Sequence, residues 1–310
     1  MLQLSVVVPC RNEVDTITEL HRRLQSVLDG LNLSYEVILI DDGSTDATWE
    51  TIQSLHQNDP SYVGIRLTRN FGHQKALTAG LDMSRGEQIL ILDADLQDPP
   101  ELLPQMLELS AQGYDVVLGK RQERRGESWF KRASASLFYR IVNRLSDRPL
   151  PQDVGDFRLM SRRALEALKS MPEYHRFIRG MVSWVGFPQV ELKYRREARW
   201  AGQTNYPFRK MVAFAIDAIT SFSIRPLTLA SYAGFFSGLV GAALLVYSIY
   251  AWLHLNTVPG WTSVICVMAI FSSVQLFVLG VIGEYLGRLY EQSKNRPLYL
   301  IQEICNGKLE

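Results

Sequence analysis

Two long stretches without a charged side chain constrain the fold most strongly, because such stretches are stable only in a membrane or a large protein core. The first covers Pro226–Leu253, about 28 residues, and the second covers Trp261–Gly283, about 23 residues. Each exceeds the roughly 20 residues that a helix needs to cross a bilayer, and neither has the polar face of a soluble amphipathic helix. We predict a transmembrane hairpin over residues 226–287, with helices at about 226–253 and 261–286. Two buried core helices are the alternative.

Basic residues around the hairpin predict its orientation. The connection His254–Gly260 contains no Lys or Arg, whereas the outer flanks carry Arg209, Lys210, Arg225, Arg288, Lys294 and Arg296. The positive-inside rule therefore places the rest of the chain and both termini in the cytoplasm. Phe208–Phe222 is apolar but interrupted by Asp217, which predicts an amphipathic helix along the membrane surface over residues 207–225. Residues 288–310 are predicted to form a cytoplasmic tail.

Residues 1–206 alternate between short apolar runs and segments of helical periodicity. The runs predicted as strands are Leu4–Val8, Tyr35–Ile40, Val63–Leu67, Gln88–Leu92, Tyr114–Gly119, Gly155–Met160 and Val190–Tyr194. This alternation predicts an α/β domain of Rossmann-like type, in which helices cover a mainly parallel sheet.

Bulk composition excludes several classes of protein. The net charge of +1 indicates no nucleic-acid partner. The three cysteines, Cys10, Cys266 and Cys305, are scattered and fit neither a disulfide framework nor a zinc site. Reduced thiols agree with a cytoplasmic domain. The N-terminus lacks the basic region of a signal peptide.

Two acidic turns directly follow predicted strands, and ligands gather at the carboxyl ends of parallel strands. Asp93 and Asp95 are separated by one residue, so in an extended segment both carboxylates face the same side. With Gln97 they suit a Mg²⁺ or Mn²⁺ ion that also binds substrate phosphate. In the other turn, one of Asp41 and Asp42 can form the turn while its neighbour binds a nucleoside. Chance surface carboxylates are the alternative for Asp93 and Asp95, and turn-forming and capping residues are the alternative for Asp41 and Asp42.

These features together predict an enzyme that takes a group from a soluble nucleotide and gives it to an acceptor in the membrane. Three other residues are interpreted as ordinary contacts: His73 and His175 have no second His or Cys at metal spacing, and Lys75 is read as solvated.

Five motifs resemble, in order, those of inverting family-2 glycosyltransferases of GT-A fold. They are V-V-V-P-C-R-N-E, D-D-G-S-T-D, R-N-F-G-H-Q-K-A-L-T-A-G, D-A-D-L-Q-D-P-P and G-D-F-R-L-M. The likeness extends over the whole chain and is strongest to polyisoprenyl-phosphate glycosyltransferases, which include bactoprenol glucosyltransferases and dolichyl-phosphate mannose synthases.

The resemblance implies a role for individual positions. The residues implied to bind the nucleotide are Pro9, Arg11, Glu13, Asp42, Asp93 and Arg199. The residues implied to bind the metal and the diphosphate are Asp93, Asp95 and Gln97. The residues implied to bind the lipid phosphate are Arg121, Arg132 and Ser136. A basic surface helix that binds anionic lipid electrostatically is the alternative for that segment. Asp156 matches the candidate catalytic residue. A phosphomonoester is already largely ionised at neutral pH, so Asp156 either acts as a base or orients the sugar or acceptor.

The implied reaction moves a hexose, with inversion, from a nucleotide sugar to a polyprenyl phosphate. Glucose from UDP-glucose and undecaprenyl phosphate are the expected substrates, with GDP-mannose or another UDP-sugar as alternatives. A processive polysaccharide synthase is less favoured, since Arg199-Trp200 lacks the Gln of a Q-x-x-R-W motif. An inactive membrane scaffold is also less favoured. Homo-oligomers, tetramers among them, are expected from the resemblance alone. The resemblance also implies that the hairpin lies in the inner (plasma) membrane of a bacterial-type cell.

Overall fold

A computed structural model of the chain describes residues 2–122, 154–195, 225–254 and 260–305. Within these ranges eight strands form one sheet in the order β7-β5-β6-β4-β1-β2-β3-β8. The strands are β1 Leu4–Cys10, β2 Tyr35–Asp41, β3 Tyr62–Leu67, β4 Gln88–Ile91, β5 Val116–Arg121, β6 Val154–Ser161, β7 Gln189–Tyr194 and β8 Ile301–Ile304.

The sheet is mainly parallel, as the alternation of strands and helices predicted. Strands β1, β2, β3 and β4 pair in parallel, and so do β5 and β7. Two strands run the other way: β6 is antiparallel to β4 and β5, and β8 is antiparallel to β3. Because β6 runs backwards between β4 and β5, its amino-terminal residues lie at the edge where the parallel strands end.

Helices cover both faces of the sheet. They are α1 Val14–Leu28, α2 Thr48–Asn58, α3 His73–Met83, α4 Leu103–Ala111, α5 Arg162–Lys169 and α6 Ile178–Val185. Strand β1 is buried on both sides: Val6 and Val8 pack with α1, α2 and α4, whereas Val7 packs with α3, α5 and α6. The alternation of side chains along a strand explains this division. It also explains why the central strands read as continuous apolar runs.

Two further helices are long and apolar enough to cross a membrane, by length and composition. They are α7 Arg225–His254 and α8 Trp261–Ser293. Only 6% and 0% of the residues in their apolar windows are buried, which argues against two soluble core helices. The helices contact one another where Gly241 faces the ring of Phe271.

The chain after α8 returns to the α/β domain, which the sequence did not predict. In the last turn of α8, Gln292 donates to the carbonyl of Pro172 at 2.8 Å and accepts from the backbone of Tyr174 at 2.7 Å. Strand β8 then pairs with the edge strand β3. Helix α6 was not predicted either. The interfacial helix expected at residues 207–225 lies outside the described residues except for Arg225.

Candidate active site

A cavity of about 270 Å³ opens at the carboxyl ends of β1, β2 and β4. Six residues singled out in the sequence line it: Pro9, Arg11, Glu13, Asp42, Asp93 and Asp95. They come from three separate loops that the parallel strands bring to one edge of the sheet. Gln97 does not line this cavity.

The two aspartates of the first acidic turn have different roles. Asp41 is fully buried and accepts a hydrogen bond from the backbone of Ser44 at 2.9 Å, closing the turn. Asp42 lines the cavity and accepts from the backbones of Phe71 and Gly72 at 2.7 and 3.0 Å. Burial raises the pKa of Asp42, and these backbone donors partly offset that effect. One aspartate thus shapes the turn while its neighbour reaches the cavity.

The second acidic turn is not the extended segment that the sequence analysis assumed. Strand β4 ends at Ile91, and a tight turn follows in which the Asp95 carboxylate accepts from the backbone of Gln97 at 3.1 Å. Leu96 is buried with a φ of 57°, a left-handed conformation that is costly for a branched residue. Asp93 and Asp95 still face one cavity, because the turn curls around it.

Asp93 has a buried carboxylate oxygen that suits a bound cation. Its Oδ1 atom has no hydrogen-bond partner among the described residues, and His73 Nε2 lies 3.6 Å away. Burial raises the pKa of Asp93 to about 6. An ionised carboxylate in this position is stabilised by a bound cation, so the residue suits a metal ligand.

Asp156 lies at the centre of a hydrogen-bond network. Its two oxygens accept a bidentate pair from Arg179 at 2.9 and 3.1 Å. The Oδ2 atom also contacts His73 Nε2 at 3.1 Å and accepts from Gln74 at 3.2 Å. With this many donors, Asp156 has little capacity left to accept a proton or bind a metal.

A buried arginine lies beneath this carboxylate. Arg158 is 1% exposed and donates to the backbone carbonyls of Asp156 and Gly155 at 3.1 and 2.9 Å. Burial lowers the pKa of Arg158 to about 10. Burial also disfavours the ionised form of Asp156, but Arg179, His73 and Arg158 outweigh it and hold the pKa of Asp156 well below its usual range. The carboxylate therefore stays charged at neutral pH.

His73 belongs to the site, which its isolated position in the sequence did not reveal. It begins α3 and lies between two carboxylates; one ligand atom each from His73, Asp93 and Asp156 lies within 4.8 Å of the others. Burial opposes protonation of His73, yet the bond to Asp156 and the charge of Asp93 raise its pKa. Arg179 was not singled out at all. The partner Asp156 is 83 residues from His73 along the chain, so no local spacing marks the pair.

Arg121 was expected at the lipid phosphate and lies at the end of β5, next to Asp98 and Tyr194. The other residues predicted there, Arg132 and Ser136, and the nucleotide-site residue Arg199 lie outside the described residues.

Two residues interpreted as ordinary contacts are placed as follows. The Nε2 atom of His175 lies 2.7 Å from a carboxylate oxygen of Glu291. Lys75 is half-buried, and its Nζ atom lies over the ring of Tyr174, 4.1 Å from its centroid.

Known proteins resemble this chain over most of its length. A family model described as glycosyl transferase family 2 matches residues 5–169. The uncharacterized glycosyltransferase YkcC of Bacillus subtilis is 44% identical over 303 residues, covering 97% of this chain and 94% of the relative. The bactoprenol glucosyl transferase of Shigella phage SfII is 38% identical and covers 99% of both chains. A solved structure of glucosyl-3-phosphoglycerate synthase from Mycobacterium tuberculosis, with Mn²⁺, UDP-glucose and phosphoglyceric acid, is 21% identical with a TM-score of 0.47 over 71% of this chain and 78% of its own.

Proposed function

The chain belongs to glycosyl transferase family 2, with a GT-A-like sheet, and on that premise we propose that it glycosylates a polyprenyl phosphate in the membrane. The donor is a nucleotide sugar, with UDP-glucose as the specific choice, and the sugar is transferred with inversion. One observation carries the proposal: an acidic cavity at the strand ends belongs to a chain that also has two membrane-length helices. The bactoprenol glucosyl transferases, 38% identical, support the lipid acceptor.

On the donor side, the nucleoside lies against the loops after β1 and β2. Asp42 offers carboxylate oxygens to polar groups of the nucleoside, while Arg11 and Glu13 face it from the opposite loop. The diphosphate then points toward Asp93 and Asp95, and Arg199 completes the nucleotide site.

A divalent cation fits the second acidic turn. The buried oxygen of Asp93 lacks a partner among the described residues, and Asp95 faces the same cavity. We assign Asp93 and Asp95 as Mg²⁺ or Mn²⁺ ligands, rather than Asp156, whose oxygens are already taken by Arg179. Gln97 stays a predicted ligand, since its side chain does not line the cavity that Asp93 and Asp95 face. A bound cation neutralises the charge of the departing nucleoside diphosphate.

The acceptor requires orientation more than deprotonation. A phosphomonoester has a second pKa of about 6, so its oxygen is already an anion at neutral pH. Asp156, fully engaged by its neighbours, holds Arg179 and His73 in place instead of removing a proton. Arg121, Arg132 and Ser136 bind the acceptor phosphate, because guanidinium and hydroxyl groups suit a phosphate dianion.

The connection of α8 to the α/β domain supports a hairpin with both outer ends on the catalytic side. The last turn of α8 binds residues 172–175, so this end of the helix lies at the domain. Two crossing helices then place Arg225, at the start of α7, on the same side. The basic flanks put that side in the cytoplasm. Homo-oligomerisation stays a prediction.

The test is a panel of radiolabelled nucleotide sugars incubated with the full chain, undecaprenyl phosphate and Mg²⁺. We expect label from UDP-glucose in the organic phase, and loss of it in Asp93→Asn but not in the exposed control Glu50→Gln. Label in the organic phase from another nucleotide sugar would change the assigned donor but not the proposed reaction. Label in a polymer would indicate a processive synthase, and no transfer from any donor would refute an active transferase.

A further inference from the structure

A buried cluster of three polar residues lies beside the second acidic turn. Asp98 is fully buried and accepts a hydrogen bond from the hydroxyl of Tyr194. The same hydroxyl accepts from Nε of Arg121 at 3.3 Å. Nη2 of Arg121 lies 3.5 Å from the other oxygen of Asp98. The tyrosine hydroxyl therefore bridges the carboxylate and the guanidinium.

The sheet provides the space for this cluster. Arg121 and Tyr194 are register partners on the parallel strands β5 and β7. A Cβ atom on Gly155 would lie 2.6 Å from Nη2 of Arg121, and one on Gly119 would lie 3.2 Å from the ring of Tyr194. Any larger residue at Gly155 would displace the guanidinium, so the backbone of β6 is shaped around it.

The ion pair within the cluster is weaker than others in the same domain. Arg23 binds Glu101 through two hydrogen bonds of 2.7 Å, one to each carboxylate oxygen, the usual bidentate arrangement. Asp98 instead accepts a hydrogen bond from Tyr194 and lies 3.5 Å from Nη2 of Arg121. The Arg121 side chain is 25% exposed. The guanidinium thus keeps donors for another anion.

We propose that Tyr194 is a positioning residue for the acceptor phosphate: its hydroxyl occupies Asp98 and so prevents this carboxylate from capturing Arg121. This inference rests on the proposed function, in which Arg121 binds a phosphate monoester. In Tyr194→Phe the hydroxyl is lost, and Asp98 pairs directly with Arg121. The acceptor phosphate must then compete with a buried carboxylate for the same donors.

The experiment measures steady-state transfer to undecaprenyl phosphate in detergent micelles by the full chain. The donor is the nucleotide sugar that the wild type uses. For Tyr194→Phe we expect the KM for the acceptor to rise about fivefold, with kcat and the KM for the donor unchanged. Adding Asp98→Asn removes the competing charge, so the double variant should recover an acceptor KM near that of the wild type.

Two control variants match these changes. Tyr62 is also buried in the sheet, but its hydroxyl has no hydrogen-bond partner among the described residues, so Tyr62→Phe should leave both KM values unchanged. Lys120 precedes Arg121 and pairs with Glu191 at 2.7 Å, so Lys120→Met removes a neighbouring charge without touching the cluster.

The outcomes distinguish failure of the Tyr194 inference from failure of the proposed function on which it rests. An unchanged acceptor KM in Tyr194→Phe would refute the inference, as would an equal change in donor KM. An acceptor KM that stays high in the double variant would show a packing effect and would also refute it. Failure of the wild type to transfer sugar to the lipid would instead remove the proposed function, and this inference with it.

Discussion

Asp156→Asn tests the hydrogen-bond network at the centre of the site. Asparagine keeps the shape of aspartate but has one accepting oxygen and no charge. If its oxygen faces Nε of Arg179, its amide nitrogen faces three donors, from Arg179, His73 and Gln74. The opposite rotamer places the amide against Nε of Arg179. In both rotamers Arg158 loses its charge compensation while it remains buried.

The structure sets the size of the effect. Breaking a buried ion pair by removing one partner costs about 3–5 kcal/mol. The Arg179 side chain is 32% exposed and can turn toward water, so we expect the lower end, about 3 kcal/mol. For a chain of this size that lowers Tm by roughly 6–12 °C. Since Arg179 and His73 lose their fixed positions, turnover should fall about 100-fold.

Thermal unfolding measures the loss of stability. It is followed by tryptophan fluorescence, to which the buried Trp49 contributes. Radiolabel transfer measures turnover. Titration with UDP measures nucleotide affinity, which should change little, because Asp156 does not line the nucleotide cavity and, of its described partners, only His73 does. Asp15→Asn, an exposed aspartate in α1, is the matched control. Near-normal turnover in Asp156→Asn, or an unchanged Tm, would refute this account of the network.

Three further predictions concern the metal ligand, the helix contact and the core. Burial raises the pKa of Asp93 from 3.8 to about 6, so the metal-free fold gains stability from this group below pH 3.8 and loses it as the pH rises through about 6. Mn²⁺ binding, measured by calorimetry, should therefore weaken about tenfold per unit below pH 6, and pH-independent affinity would contradict this assignment. Gln292→Ala removes the bonds to Pro172 and Tyr174 and should expose the 172–175 loop to faster hydrogen exchange; unchanged exchange would show that the contact is dispensable. Gly80→Ala places a Cβ atom 2.5 Å from Ile40 and Val7 and should cost about 1–3 kcal/mol by thermal unfolding, whereas an unchanged Tm would mean that the core adjusts freely.

The strands and the acidic turns were predictable because their signals are local. Each predicted strand lies within two residues of an observed one, since buried parallel strands are continuous apolar runs. The cavity side chains Asp42 and Asp93 follow such runs directly, and parallel strands place their ends on one edge.

The short edge strand and the turn after β4 were not predictable in this way. Strand β8 has four residues, of which Gln302 and Glu303 are exposed, so its pattern carries almost no strand signal. It forms only because the chain after α8 passes the open edge of β3. The left-handed Leu96 breaks the extended geometry that the spacing of Asp93 and Asp95 implied.

Sequence alone determined the α/β class, the carboxylates at the strand ends and the two membrane-length helices, because each depends on neighbours a few positions apart. Tertiary structure alone decided that Asp156 holds His73 and Arg179, and that Tyr194 stands between Asp98 and Arg121. These contacts join residues far apart in the chain, and the reversed strand β6 and the pairing of β5 with β7 bring them together. Spacing along a sequence carries no record of such distances in space.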